Sequence, residues 1–124
     1  MLIEFDNKDD VCILRFRGRF ATGVDAAYLR SKADELKVCG CRKVLADFHE
    51  VPYVDSTGIG FLVGVYTTVT RTMGGHFVIV GPNPRVREVL ELTRLNTIIP
   101  MAADEASGLE FLSKRPVALR AEQE

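Results

Sequence analysis

Apolar and polar residues alternate near the start of the chain, a pattern typical of two short β-strands. Leu2, Ile3 and Phe5 begin the first strand, and the polar run at 7–10 predicts a turn. The second strand covers 11–18, where apolar side chains give way to an alternation of apolar residues and arginines, as on a strand with one wetter face. Because only a short turn separates them, we expect the two strands to pair as an antiparallel hairpin.

A helical period follows the hairpin and predicts a first helix from Thr22 to about Val38. Thr22 and Asp25, three residues apart, form a weak capping box at its start. Gly40 ends the helix, because glycine readily takes the left-handed conformation that follows a last helical turn. The apolar stripe of this helix consists of Ala26, Leu29, Ala33 and Leu36.

The centre of the chain predicts a short buried strand and then the longest helix. Residues 44–48 form an apolar run bracketed by charged residues and by Pro52. A helix of roughly 17 residues then begins near Asp55 and ends before Gly74. Its expected core stripe consists of Ile59, Leu62, Val63, Tyr66, Val69, Thr70 and Met73. The opposite face carries Gly60, Phe61, Gly64, Thr67, Thr68 and Arg71.

The last third of the chain predicts two strands and two helices. A strand at 76–80 precedes a helix that starts at Asn83-Pro84 and runs to about Leu95. Ile98–Ile99 is expected to be an edge strand, and 104–112 a final helix.

This order of elements predicts an α/β fold. We expect a mixed β-sheet, made of the opening hairpin plus parallel strands, with about four helices packed on it. The 124 residues fit one domain. We place that domain at 1–114, followed by a mobile tail at 115–124 that lacks apolar periodicity.

Charge and hydropathy exclude several classes of partner. The formal net charge is −1, from 16 basic and 17 acidic residues, so nothing favours nucleic acid or an anionic membrane. No run approaches the ~18 consecutive apolar residues of a membrane span, and no signal peptide is visible. We therefore expect a cytoplasmic protein with no nucleic-acid or membrane partner.

Three cysteines, Cys12, Cys39 and Cys41, form an odd set in a chain without an export signal, so we expect reduced thiols. The pair at 39 and 41 could be half of a metal site with His49 or His76. A structural zinc requires four ligands, however, and no second pair has ligand spacing. We therefore expect no metal.

Residues 54–60 are the most informative stretch and read VDSTGIG. Asp55 and Ser56 are both types that cap helix N-termini, where unpaired N–H groups and the helix dipole accommodate a phosphate. An unmodified cap is the simpler alternative. It does not account for Gly58 and Gly60, because glycine destabilises a helix by up to about 1 kcal/mol relative to alanine. The glycines leave room for a second protein, which favours Ser56 as a phosphoacceptor.

Residues 55–63, DSTGIGFLV, resemble the signature of the STAS-domain anti-sigma factor antagonists. The resemblance extends over about residues 5–113, with the flanking elements in the same order. The matching flanking segments are 11–18, 43–48, 74–81 and 84–90.

The resemblance implies a STAS fold and a binding module rather than an enzyme. In this family a partner anti-sigma factor with serine kinase activity phosphorylates the first hydroxyl after the aspartate, here Ser56, and a phosphatase removes the phosphate. Thr57 would be a bystander, and Asp55 would hold backbone N–H groups. No cofactor is implied for the chain itself, because nucleotide and metal belong to the kinase. Phe61, with the groove at Gly60 and Gly64, would contact the partner.

Three alternatives remain open. The chain could be a STAS scaffold or regulatory subunit in another signalling or transport assembly. A hydrolase would need a base beside Ser56; His49 follows a strand closely, but Asp47 and His49 would point the same way and form no relay. Gly58, Gly60 and Gly64 only weakly resemble a dinucleotide fingerprint, since no strand ends beside them.

Overall fold

A five-stranded sheet runs through residues 2–18 and 26–115, the part of the chain that the computed structural model describes. Its strands lie side by side in chain order, with β1 antiparallel to β2 and every later neighbour parallel. The predicted mixed α/β sheet is therefore confirmed. The strands are β1 (Leu2–Lys8), β2 (Val11–Arg17), β3 (Lys43–Glu50), β4 (His76–Val80) and β5 (Met101–Ala102).

The hairpin is tighter than the sequence predicted. The pair Lys8↔Val11 closes a turn of two residues, so β1 extends through half of the expected turn. Asp9 has a φ of 56° in this turn, a left-handed conformation that aspartate tolerates better than most residues.

Four helices flank the sheet in the described ranges. The structure contains α1 (Ala26–Cys39), α2 (Ser56–Thr67), α3 (Pro84–Leu92) and α4 (Glu105–Ser113). A π-helical turn, Thr68–Thr72, continues α2 and gives the long helix its predicted end. The predicted start of α1, with its capping box at Thr22 and Asp25, and the predicted tail beyond Arg115 lie outside the described residues.

Alternate residues of the strands face two separate apolar layers. The face that carries α1, α2 and α3 buries the larger cluster, which includes Phe16, Phe48, Phe77, Leu36, Leu62 and Leu90. The other face packs against α4 and buries Val11, Ile13, Leu45, Val78, Val80 and Leu112. No helix of the described residues is long and apolar enough to cross a membrane.

Two predictions near the end of the sheet are wrong. The helix α3 stops at Leu92 instead of Leu95, and Ile98–Ile99 is not a strand. The N–H groups of both isoleucines donate to the Leu95 carbonyl, at 3.0 and 2.7 Å, so this segment is coiled into a tight turn. The edge strand is β5, which pairs at Ile79↔Met101.

The expectation of three free thiols is wrong for two of the cysteines. Cys12 and Cys41 form a disulfide with Cα atoms 6.0 Å apart, within the usual range for such bonds. Only Cys39 is a free, exposed thiol. The two partners are 29 positions apart, so their proximity depends on how α1 returns to the sheet. Among the described residues no three His, Cys, Asp or Glu side chains are grouped to hold a metal ion.

Candidate functional site

The start of α2 separates the roles of its two candidate capping residues. Asp55 is the N-cap, with extended φ and ψ of −119° and −167°. Its Oδ1 accepts hydrogen bonds from the Thr57 N–H at 2.9 Å and the Gly58 N–H at 3.4 Å. Ser56 is the first helical residue and is exposed. The Ser56 hydroxyl is therefore carried at the positive end of a helix dipole.

The loop before this helix is anchored on both sides. Val51 and Val54 are each 1% exposed and tie the loop to the core. The Asn83 amide donates to the Val51 carbonyl at 3.3 Å, and the Arg85 guanidinium lies 5.6 Å from the centre of the Tyr53 ring. The start of α3 therefore holds the segment that presents Ser56. Sequence reasoning identified Asn83 as a helix start but not as an anchor of this loop.

One face of α2 is nearly bare. Ser56, Gly60 and Gly64 lie four residues apart and are all exposed, so they share a face of the helix. A Cβ added at Gly60 or Gly64 would meet no atom within 4 Å. Packing within the chain does not require either glycine. Gly58 differs, because it is buried on the core side.

The buried face of α2 is rotated from the predicted one. Gly58, Leu62, Val65 and Val69 are the buried positions of the helix and its π-helical turn, whereas Val63, expected in the core, is 38% exposed. Periodicity placed Leu62 and Val69 correctly in the core but missed Val65. Almost every side chain of α2 is apolar or small, so the centre of the buried arc was displaced. The observed arc is set by tertiary packing, because its residues join the core cluster formed with the sheet, α1 and α3.

Phe61 is consequently not an outward-facing side chain. It is half-buried and packs against the larger core cluster. It also lines an open groove of about 460 Å³ between α1 and α2, together with Leu29, Ala33, Gly64 and Thr68. The prediction that Phe61 stands away from the core is wrong. Its ring edges the groove beside the bare face of α2.

His49, the histidine nearest to the motif in sequence, lies on the opposite face of the sheet from α2. His49 lies in β3 rather than in a loop, and its Nδ1 is 2.7 Å from the Asp47 Oδ1. A Cβ added at Gly81 would come within 2.6 Å of the His49 ring. By strand alternation Asp47 and His49 share the face of the sheet that carries α4, whereas α2 packs on the other face. This arrangement does not assemble a Ser-His-Asp relay.

Asp47 belongs to an ionic network on the α4 face. Arg15 donates to Asp47 and Glu105 at 2.9 Å each, and to Asp6 at 3.3 Å. The Glu105 bond is the main reason that the pKa of Arg15 is raised above its ordinary value. Burial disfavours the charged form of Asp47, but bonds from the His49 N–H, the His49 ring and Arg15 outweigh it and lower the pKa of Asp47.

The fold and the motif match known regulatory domains. The family model for the STAS domain matches residues 3–108. The chain therefore belongs to the STAS domain family. It is 33% identical over 82 residues to a Thermotoga neapolitana protein named as a homologue of a "Putative anti-sigma factor antagonist", covering 66% of this chain and 72% of that protein.

Solved structures of other proteins share this fold. The crystal structure of a Thermotoga maritima protein described as a "putative anti-sigma factor antagonist" has a TM-score of 0.83 at 25% identity, covering 90% of this chain and 95% of that one. The Bacillus cell fate determinant SpoIIAA in its phosphorylated form has a TM-score of 0.64 at 18% identity, covering 86% and 96%. That second likeness concerns the fold alone.

Proposed function

We infer that this chain is an anti-sigma factor antagonist, which binds an anti-sigma factor and thereby releases a sigma factor. Membership of the STAS family and the names of the relatives support this role. The protein acts as a binding module in the cytoplasm and has no cofactor of its own.

Phosphorylation of Ser56 is the proposed off switch. The anti-sigma factor is also an ATP-using serine kinase that modifies Ser56, and a phosphatase restores the active form. The observation that carries this proposal is the exposed hydroxyl at the start of α2, beside a face without Cβ atoms at Gly60 and Gly64. The solved phosphorylated form of SpoIIAA adds support, because that protein has the same fold.

The switch works mainly through charge. A phosphate adds about −1.5 to −2 charges. The adjacent Asp55 carboxylate already accepts the N–H groups of Thr57 and Gly58, so it cannot move away without uncapping the helix. The modified surface would therefore carry two neighbouring negative groups. A partner that fits closely against the unmodified helix start would be repelled by both.

The partner surface extends from Ser56 along α2. Without Cβ atoms, Gly60 and Gly64 let a partner backbone approach the helix closely. Phe61 offers an aromatic edge in the groove beside Gly64, and aromatic side chains are frequent anchors in interfaces. Gly58 contributes indirectly, because its buried position lets the first turn of α2 sit against the core.

Mass spectrometry after incubation with ATP and the anti-sigma kinase encoded in the same genome tests the proposal. We expect one phosphate, on Ser56, in the wild type and in Thr57→Ala, and none in Ser56→Ala. Ser56→Ala should still bind the kinase, which shows that the loss of phosphate is not a loss of docking. A phosphate on Thr57 would contradict the assignment. Capture of a partner that is not an anti-sigma factor would favour the scaffold role.

A further inference from the structure

The three cysteines lie together at the end of the sheet farthest from Ser56. Cys12, Cys39 and Cys41 line a shallow cavity of about 370 Å³, with Arg42 and Lys43 beside them. Strand β3 starts at this cavity and runs toward the loop that presents Ser56. The proposed phosphorylation switch uses none of these three residues.

The end of α1 directs Cys41 toward the sheet. Gly40 has a φ of +68°, and its N–H donates to the Lys37 carbonyl at 3.1 Å. The Cys41 N–H donates to the Leu36 carbonyl at 3.3 Å. These two bonds form a Schellman motif, in which the residue after the glycine packs back against the last helical turn. Cys41 is accordingly 6% exposed, while Cys39 remains exposed.

The disulfide therefore joins an element to the sheet instead of closing a local loop. It links the segment just after α1 to the second residue of β2, across 29 positions of sequence. Helix α1 also contributes Leu29 and Ala33 to the groove that contains Phe61. If the end of α1 were held less firmly, the α1 side of this groove would become more mobile.

We propose that the Cys12–Cys41 bond is a redox-responsive latch that fixes the end of α1 to β2, with Cys39 as the thiol through which it exchanges with small disulfides and thiols. The expectation of reversibility rests on the cytoplasmic role proposed above. Disulfides in that compartment are rare, and those that form there commonly sense redox state. Cys39 is the exposed member of the cluster, and exposure favours exchange.

The chemistry balances with a low-molecular-weight disulfide, such as oxidised glutathione, as the oxidant. The Cys39 thiolate attacks one sulfur of that disulfide and releases a first small thiol. The Cys12 thiolate then attacks the Cys39 sulfur and releases a second. Finally the Cys41 thiolate attacks the Cys12 sulfur, forming the Cys12–Cys41 bond and freeing Cys39. Two cysteines lose two electrons, and the small disulfide gains them together with two protons.

Thiol counting in glutathione buffers of graded redox ratio tests the latch without any partner. We expect one free thiol per chain in the most oxidising buffer and three in the most reducing buffer. The midpoint of the change should fall at a glutathione ratio between these two buffers. The melting temperature should fall by about 10 °C on reduction, because the bond constrains the unfolded chain. Amides of α1 should exchange hydrogen at least tenfold faster in the reduced protein, and this acceleration should exceed that of the α4 amides.

Variants separate the latch from a structural role. Cys12→Ser should melt at a temperature that does not depend on redox ratio, because both protein disulfides of this pathway contain Cys12. Cys39→Ser should keep the disulfide and the oxidised melting temperature, but should form the bond at least tenfold more slowly from oxidised glutathione. Three free thiols under oxidising conditions, or a bond that survives excess reduced glutathione, would overturn the proposal. Unchanged kinetics in Cys39→Ser would remove the role of that thiol. None of these outcomes depends on whether Ser56 is phosphorylated.

Discussion

The Tyr28 hydroxyl of α1 caps the outer edge of β1 at Ile3. It accepts the Ile3 N–H at 2.9 Å and lies 3.4 Å from the Ile3 carbonyl oxygen, to which it can donate. Within residues 2–18 and 26–115, β1 pairs with a strand on its β2 side only. The outer edge of such a strand is a place where another chain can pair. Tyr28 occupies part of that edge.

Tyr28→Phe should therefore have two effects. Loss of the hydroxyl should lower the free energy of unfolding by about 1 kcal/mol, measured by urea denaturation. It should also increase association with concentration, measured by sedimentation. Tyr66→Phe is the matched control, because it loses a bond to the Ile98 carbonyl without uncovering β1. Equal association in both variants would argue against edge protection.

Gly64→Ala should stabilise the isolated protein while it weakens partner binding. The added methyl group meets nothing within 4 Å, so the free energy of unfolding should rise by about 0.5–1 kcal/mol, as helix propensity predicts. The same methyl would obstruct a partner backbone at the bare face of α2. Calorimetry of binding and denaturation of the free protein measure the two effects. Unchanged affinity would place the interface elsewhere.

Gly108→Ala provides the contrasting case. A Cβ at this position in α4 would lie 2.5 Å from the Val80 Cγ1 and 2.9 Å from the Leu45 Cδ1. This crowding should lower the free energy of unfolding by about 1–3 kcal/mol. Two glycine-to-alanine changes in helices should thus have opposite signs.

Phe61→Ala should reduce both stability and partner affinity. Because the ring is half-buried, we expect a loss of about 1–3 kcal/mol, less than the 3–5 kcal/mol of a fully buried phenylalanine. Phe111→Ala is the control: Phe111 is also half-buried, but it packs against the cluster under α4. Affinity for the anti-sigma factor should fall only in Phe61→Ala. An equal fall in both would indicate a general effect of destabilisation.

Ser56→Asp should remain folded and bind the partner poorly. An acid in the first turn of a helix is stabilised by a few tenths to about 1 kcal/mol, so the melting temperature should not fall. Affinity should drop because the added charge would lie on the proposed partner surface. Ser107→Asp puts the same charge into the first turn of α4 and should bind normally. Wild-type affinity in Ser56→Asp would contradict the electrostatic switch.

Stability should fall in acid partly through Asp47. Its pKa is lowered in the folded protein, so the folded state favours the charged form. This contribution is complete above the ordinary aspartate value of about 4 and is lost as the pH falls through the lower folded value. Asp47→Asn should therefore be less stable at pH 7 and should lose less stability between about pH 4 and 2. Denaturation at graded pH measures both, and an unchanged acid slope would contradict the assignment.

Helix starts were readily predicted because their signals are local. Asp55, Asn83 and Asp104 each cap a helix with their own side chain, as the sequence indicates. The buried arc of α2 was not predictable in the same way, because the helix has too few polar residues to identify its solvent-facing side. The disulfide between Cys12 and Cys41 required a contact across β2 and α1. Short sequence windows contain no information about such a contact.

Strand β3 separates the two proposed modification sites of the domain. It is eight residues long, so its ends are about 25 Å apart. One end adjoins the cysteine cavity, and the other leads into the loop before Ser56. Oxidation and phosphorylation at these ends would not compete for space, and at such a distance the phosphate charge is largely screened from the cysteines at physiological salt. One small domain could then hold four distinct covalent states and report two unrelated conditions of the cell to a single partner.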